Sequence, residues 1–264
     1  YPDPGVAGHF ITGFPFVGNM AHTGVFPHEH VEAKYTEAQL RRLEARTMWK
    51  RLKMYKPSEW KHVLWEKSVA DPKKGYMGRP RKIGRGVASA ALRFAREQGT
   101  KPNGEPKIRP VDDFTGNNVN ATIETHDKLV FTTLDDLVDL CKVAYQKLGM
   151  KFGEWKLSKT DFAGAFRQVP IRPEHIDLSH VTLFDNKNKL RVVQHKTMPF
   201  GSVSAVHTWS QVSEAVLHLA YCCGQIFTQK FVDDFWVIGH KEVADEMMTT
   251  FITIITMLGF KLDL

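Results

Sequence analysis

Three aspartates carry the strongest chemical signal in this sequence. In KFVDDFWVIG, Lys230 to Gly239, Asp233 and Asp234 sit side by side inside an apolar, strand-like run. In LSKTDFAGAFRQVPI, Leu157 to Ile171, Asp161 closes a β-like run and enters a turn of small residues, Ala163-Gly164-Ala165, which leaves room beside its carboxylate. Adjacent carboxylates repel, and desolvating them is costly without a counter-charge. Divalent cations provide one. Two Mg²⁺ ions about 3.5–4 Å apart, held by hard oxygen ligands, clamp the attacking and leaving oxygens of a phosphoryl displacement. An ordinary Asp-Asp pair is a solvated turn, and two residues make the tightest hairpin connection. A second Asp is nevertheless a weak choice where both central positions need positive φ. The spacing predicts two short strands joined by Asp233-Asp234, with Asp161 supplied by a distant strand end.

The elements that must position these acids alternate between helix and strand. Residues 1–35 are rich in Gly, Pro and Phe and read as an extended segment packed on another part of the protein. A basic helix is expected over 36–56, capped near Thr36, with Leu40, Leu43, Thr47 and then Met54 or Leu52 on its apolar side. A Trp-bearing helix, SEWKHVLWEK, ends before Asp71-Pro72, and a basic Gly/Pro-punctuated loop leads into VASAALRFAREQ (87–98), read as a helix of small residues. Asn103-Gly104 signals a hairpin. TTLDDLVDLCKVAYQKLG is a helix with a capping-box start, Thr133 as N-cap and Asp136 at N3. The strand EWKLSKTD, a short helix at AGAFRQ and a hairpin around DNKNK follow. Next come a long helix from about Ser204 to Cys222, the acidic hairpin, a helix from about Glu242 to Leu258 and the start of a strand. Val206, Trp209, Val212, Val216 and Leu219 near helical spacing are core positions of the long helix. The mixture argues for α+β, an antiparallel sheet with helices on one face.

At 264 residues the chain can bury a substantial core, as one large domain with lobes or two packed subdomains. Its net charge of +7 is unevenly placed: Arg41 to Arg85 holds fifteen Lys/Arg and four Asp/Glu, a surplus of eleven, so the remainder carries −4. A basic block beside an acidic remainder suggests a polyanion partner, nucleic acid first, with a solvated helix face as the bland alternative. No apolar run reaches the length of a membrane span, and no membrane partner is expected. Cys141, Cys222 and Cys223 offer neither a CxxC spacing nor a disulfide framework, which fits a reducing intracellular compartment, cytoplasm or nucleus. His28 and His30 could ligate a metal, but no matching second pair is visible in the sequence, and they read as surface histidines. The chain starts at Tyr1 and stops inside a strand-like run, as a fragment of a longer protein would.

Five segments in order, KIRPVDDF (107–114), DFAGAFRQVPI (161–171), KTMPFGSVSAVHTW (196–209), FVDDF (231–235) and LGFKL (258–262), resemble the reverse transcriptases of retroelements, most closely those of retrotransposons. The likeness covers roughly 79–264. It implies a right-hand polymerase: an N-terminal extension with basic helices over 1–78, part of the fingers over 79–132, and the palm with the remaining fingers elements over 133–264, ending before the thumb. It implies RNA-directed DNA synthesis with an RNA template, a DNA primer and deoxynucleotides as partners. Two Mg²⁺ ions, replaceable by Mn²⁺, would be cofactors. Asp161 and Asp233 would bind both metals, Asp234 would complete the cluster, and the carbonyl of Phe162 would add a ligand. Arg109 would grip the triphosphate with its rigid donor fork, with Lys107 as a helper. Phe166 would exclude a 2′-hydroxyl, Phe200 would pack on the sugar or base, and Gly201 would let backbone approach the substrate. Val206 stands where the family has Pro, and Phe231 where Tyr is commoner. An RNA-dependent RNA polymerase shares the palm but needs room where Phe166 stands. A non-catalytic nucleic-acid-binding relic would have no reason to keep a repulsive acidic cluster.

Overall fold

A computed structural model describes residues 1–84, 86–149, 151 and 153–263. Arg85, at the edge of the basic block, and Leu264, at the chain end, lie outside the described residues. The N-terminal part contains helix α1 (Val6–Thr12), strands β1 (Gly18–Met20) and β2 (His28–Val31), and helices α2 (Glu37–Met54) and α3 (Lys61–Ala70). Strands β3 (Ala90–Thr100), β4 (Pro106–Asp113) and β5 (Ile123–Asp127) follow, then helix α4 (Leu134–Leu148). Strands β6 (Trp155–Phe162), β7 (His180–Phe184) and β8 (Leu190–Gln194) precede the long helix α5 (Val203–Gly224). The hairpin β9 (Thr228–Phe231) and β10 (Asp234–His240), helix α6 (Ala244–Met257) and strand β11 (Leu262–Asp263) close the order.

Local chemistry sets several boundaries. Thr36 and Gln39 form a reciprocal capping box at the start of α2, and Thr133 and Asp136 do the same for α4. Gly104 takes φ +83° in the loop between β3 and β4, at the Asn-Gly signal. The fold is α+β, and the described residues form three sheets: β1-β5-β2, β11-β6-β10-β9 and β4-β3-β7-β8. The second is antiparallel throughout. Its Thr160, Phe162, Phe235 and Val237 are buried on the side where α5 and α6 pack, through Trp209, Val212, Phe251 and Ile255. Period-2 alternation then leaves Asp161 and Asp234 on the other face. One contiguous apolar cluster runs from Phe14 and Phe16 through Leu40 to Phe251, so the N-terminal segment shares the main core.

The structure corrects three expectations. Residues 87–98 are not a helix: Ala90 onward forms β3, laddered to β4 on one side and parallel to β7 on the other. Alanine's helical preference is worth tenths of a kcal/mol per residue, less than two backbone ladders and the buried ion pair that Arg93 makes with Asp112. Residues 1–35 are not simply extended, because α1 forms and β1 and β2 flank β5. The buried stripe of α2 is Leu40, Glu44, Met48 and Leu52, a strict i+4 row. Glu44 joins it because Arg51 and Ser89 satisfy its carboxylate at 2.6 and 2.7 Å, and Met54 is left 73% exposed.

A buried polar chain links the third sheet to the segment after β6. Arg93 grips Asp112 through both oxygens, Nε to Oδ1 at 2.7 Å and Nη2 to Oδ2 at 2.9 Å. His195 reaches the same Oδ2 at 2.9 Å, and Arg167, in the 3₁₀ turn Ala165–Gln168, donates to His195 Nδ1 at 2.5 Å and to Asp71 at 2.9 Å. Burial, then the Arg167 guanidinium, push the His195 imidazole down to about 3, so the ring is neutral and can accept at Nδ1 while donating from Nε2. Burial pushes the Asp112 carboxyl up, but Arg93 and His195 outweigh it and hold it well below the carboxylate range.

Candidate active site

The acidic hairpin is built one residue away from the expected register. Phe231 pairs with Asp234, so the two-residue tip is Val232-Asp233 and Asp234 is already the first residue of β10. Only the first tip residue has positive φ: Val232, at +57°. That sign pattern belongs to a II′ turn, where glycine is usual. A β-branched residue there is strained by something on the order of 1–3 kcal/mol. The buried indole of Trp209, on α5, donates to the Val232 carbonyl at 2.8 Å and ties down this turn.

Ladder pairing brings the carboxylates together. Asp161 on β6 lies directly opposite Asp234 on one side and opposite Asp263 of β11 on the other, while Asp233 leads into the ladder from the tip. Directly opposed residues share a face, so Asp161, Asp234 and Asp263 form a row across three strands. Burial is the first cause of a raised Asp161 carboxyl, and Asp233, Asp234 and Asp263 raise it further against the opposing Lys159. Burial also raises Asp233, with Asp234 adding to it and Arg109 and Lys159 opposing. Asp234 is turned to Lys159 Nζ at 2.8 Å, and Asp161, Asp233 and Asp234 do not all close to within 4.8 Å of one another. Oδ1 of Asp161 is buried and has no hydrogen-bond partner among the described residues.

Two members of this row, Asp161 and Asp263, line an open cleft of about 960 Å³ together with Asp233. The same cleft is also lined by Arg109, Arg96, Lys67 and Lys74, together with Asp71 and Glu97, and Arg109 lies close enough to Asp233 to lower its carboxyl. Arg109 and Arg96 are cross-strand partners in the β3–β4 ladder, an unfavourable pairing of like charges unless an anion lies between or above them. Lys67 Nζ donates to the Ile108 carbonyl at 2.5 Å, and burial followed by Arg109 depresses its pKa.

The other sequence-predicted residues divide. Phe200 lines the cleft and packs on Phe166 with ring centroids 5.0 Å apart. Phe162 contributes its backbone to the cleft edge, its N–H facing the Asp233 carbonyl at 3.4 Å, while its ring is buried against Trp209 and Phe235. Lys107 is exposed and does not line the cleft. Gly201 has φ +98°, and a Cβ there would lie 2.1 Å from the Asp112 carbonyl oxygen. One backbone that Gly201 must approach closely is therefore that of β4. Sequence reasoning missed Asp263, Arg96 and Lys67 as cleft residues. Arg96 lay inside the segment misread as a helix, and Asp263 is a lone acid whose pairing with Asp161 only the sheet order reveals.

The donor set suits a hard divalent cation: grouped carboxylates, raised by burial and mutual repulsion, with one buried oxygen lacking a partner. No helix of the described residues is long and apolar enough to cross a membrane. No protein-family model and no curated protein sequence matches the chain.

Proposed function

We propose that this chain is the fingers and palm of an RNA-directed DNA polymerase of a retroelement, adding a deoxynucleotide to a primer 3′-hydroxyl with release of pyrophosphate. The observation that carries the reading is the meeting of Asp161 with the Asp233-Asp234 hairpin across one ladder, beside a cleft that Arg109, Arg96, Lys67 and Lys74 also line. The acids come from segments far apart in sequence, and the five-segment order is the one that reverse transcriptases share. Asp161, Asp233 and Asp234, with the carbonyl of Phe162, would hold two Mg²⁺ ions, or Mn²⁺ in their place; when bound, these supply the positive charge that steadies the attacking and leaving oxygens.

The chain's own groups prepare the rest. Arg109 and Arg96 would offer their planar guanidinium forks to a triphosphate, and Lys67 and Lys74, lining the same cleft, would add positive charge for a nucleic-acid backbone. Trp209 and the β6 ladder hold the tip so that the carboxylates do not relax apart. Phe166, packed on Phe200, would exclude a ribose 2′-hydroxyl.

The test is primer extension on an RNA template with Mg²⁺ and deoxynucleotides, using the longest polypeptide that the coding sequence supports. Asp233→Asn should abolish extension while leaving template binding intact; full activity in that variant rejects the proposal. Phe166→Ala should raise ribonucleotide relative to deoxynucleotide incorporation. A wild-type protein that prefers ribonucleotides would instead identify an RNA-dependent RNA polymerase.

A further inference from the structure

The sheet β1-β5-β2 contributes no residue to the acidic cleft, yet it gathers an unusual set of ligating side chains. On β2, His28 and His30 are two residues apart; on β5, Glu124 and His126 are two apart. Residues at i and i+2 of a strand share a face. The two strands are antiparallel, and the register slips between His28, opposite Asp127, and Val31, opposite Thr125. That slip brings His30 alongside His126, with rings stacked at 4.6 Å and only 2° from parallel.

Glu124 Oε1 lies 3.0 Å from His30 Nε2 and 3.2 Å from His126 Nε2, and all three ligand atoms fall within 4.8 Å of one another. We propose that His30, Glu124 and His126 form a binding site for a first-row divalent transition metal of the zinc class. A tetrahedral ion with bonds of about 2.0–2.2 Å to nitrogen and oxygen sets its ligand atoms roughly 3.3–3.5 Å apart. The two nitrogen–oxygen separations need to open by only a few tenths of an ångström, and the stacked rings must rotate out of parallel so that both Nε2 lone pairs point at the ion. Two imidazoles and one carboxylate favour Zn²⁺, Co²⁺ or Ni²⁺ over Mg²⁺ and Ca²⁺, which take oxygen ligands. All three side chains are partly exposed, so an ion can enter from solvent, and the fourth position is left to water. His28 and His22 continue the imidazole row at ring separations of 6.0 and 5.3 Å, and Asp127 holds His22 Nδ1 at 2.6 Å. The bound ion would clip the N-terminal segment to β5, joining strands far apart in sequence.

The experiment is calorimetric titration of the chain with Zn²⁺, in excess Mg²⁺ so that the cleft carboxylates are occupied, with the visible spectrum of the Co²⁺ form as a second readout. Cys222 and His218 approach within 3.4 Å on α5 and are the competing pair, so His218→Ala is the control. The expected result is one equivalent of Zn²⁺ bound and a tetrahedral Co²⁺ spectrum. His126→Ala and Glu124→Gln should each weaken binding by more than about tenfold, and His218→Ala should leave it unchanged. Should His126→Ala unfold, Glu124→Gln, which keeps the side chain's shape, decides alone. No saturable binding, or binding that survives Glu124→Gln or disappears with His218→Ala, overturns the proposal.

Discussion

Replacing Asp161 by Asn should stabilise the metal-free protein while removing its response to Mg²⁺. Asp161 sits between two directly opposed carboxylates, Asp234 and Asp263, with one oxygen buried and unpartnered. A like-charge pair directly across a ladder costs about 0.2–1 kcal/mol. The bare Coulomb figure at about 5 Å and an effective dielectric near 20 is roughly 3 kcal/mol, but solvent screens groups this exposed. Lys159 already offsets part of the charge on Asp234. Two such contacts therefore make the expected gain about 1 kcal/mol, or about 2–4 °C in Tm for a chain of this size. The sign agrees with the raised Asp161 carboxyl, since a carboxyl whose folded pKa lies above its unfolded one weakens the fold when ionised. Mg²⁺ should reverse the ranking if the proposed cleft site binds it: a site of about 1 mM affinity adds about 1.4 kcal/mol at roughly 10 mM ion, and only the wild type would have it intact. Thermal unfolding of both proteins in EDTA and in Mg²⁺ should show the curves exchange order. A variant less stable than wild type in EDTA, or equal stabilisation of both by Mg²⁺, refutes the reasoning.

Three further outcomes follow from the same geometry. Trp209→Phe keeps the ring but removes the donor to the Val232 carbonyl, so urea unfolding should show a loss of about 1–2 kcal/mol, and extension activity should fall as the tip loosens. Gly201→Ala puts a Cβ 2.1 Å from the Asp112 carbonyl at φ +98° and should cost more than about 1 kcal/mol by the same measurement, whereas an accommodating loop would show almost none. His195 stays neutral in the fold to about pH 3 but takes a proton near 6.5 when unfolded, so its contribution is lost as pH falls below about 6.5, at up to about 1.4 kcal/mol per pH unit. Buried His180 acts with the same sign, while the raised Asp161 and Asp233 oppose it at lower pH, so the measurable quantity is the difference. His195→Gln should flatten the slope of stability against pH between about 6 and 4, and an unchanged slope would refute the assignment.

What the sequence disclosed was largely what local chemistry controls. Thr36 and Thr133 announced their helices because a cap is a contact between neighbours, and Asn103-Gly104 announced a turn for the same reason. The misreading of 87–98 has the opposite cause. Ala90, Ala91 and Arg93 are in a strand because of what lies across from them, and Arg93 is stable there only because Asp112 meets it. The Asp233-Asp234 tip failed by one residue because the carbonyl of Val232 is held by Trp209, 23 positions away, which makes an otherwise poor turn residue acceptable. Asp263 and Arg96 escaped notice because neither has a local signature; each acquires meaning only through its ladder partner.

Asp112 ties these observations into one requirement. Its side chain is held by Arg93 and His195, and His195 by Arg167, three residues after Gly164 at the end of the Asp161 turn. Its backbone carbonyl is the atom against which Gly201 is pressed. Three residues earlier on the same strand lies Arg109, which lines the cleft and lowers the Asp233 carboxyl. A buried ion-pair chain and one glycine contact thus link the strand of Arg109 to the turn that follows Asp161. Breaking a buried pair by removing one partner costs about 3–5 kcal/mol, so Asp112→Asn should reduce stability and deoxynucleotide affinity together. If triphosphate binding survived while stability fell, Arg109 would be positioned by some other part of the fold.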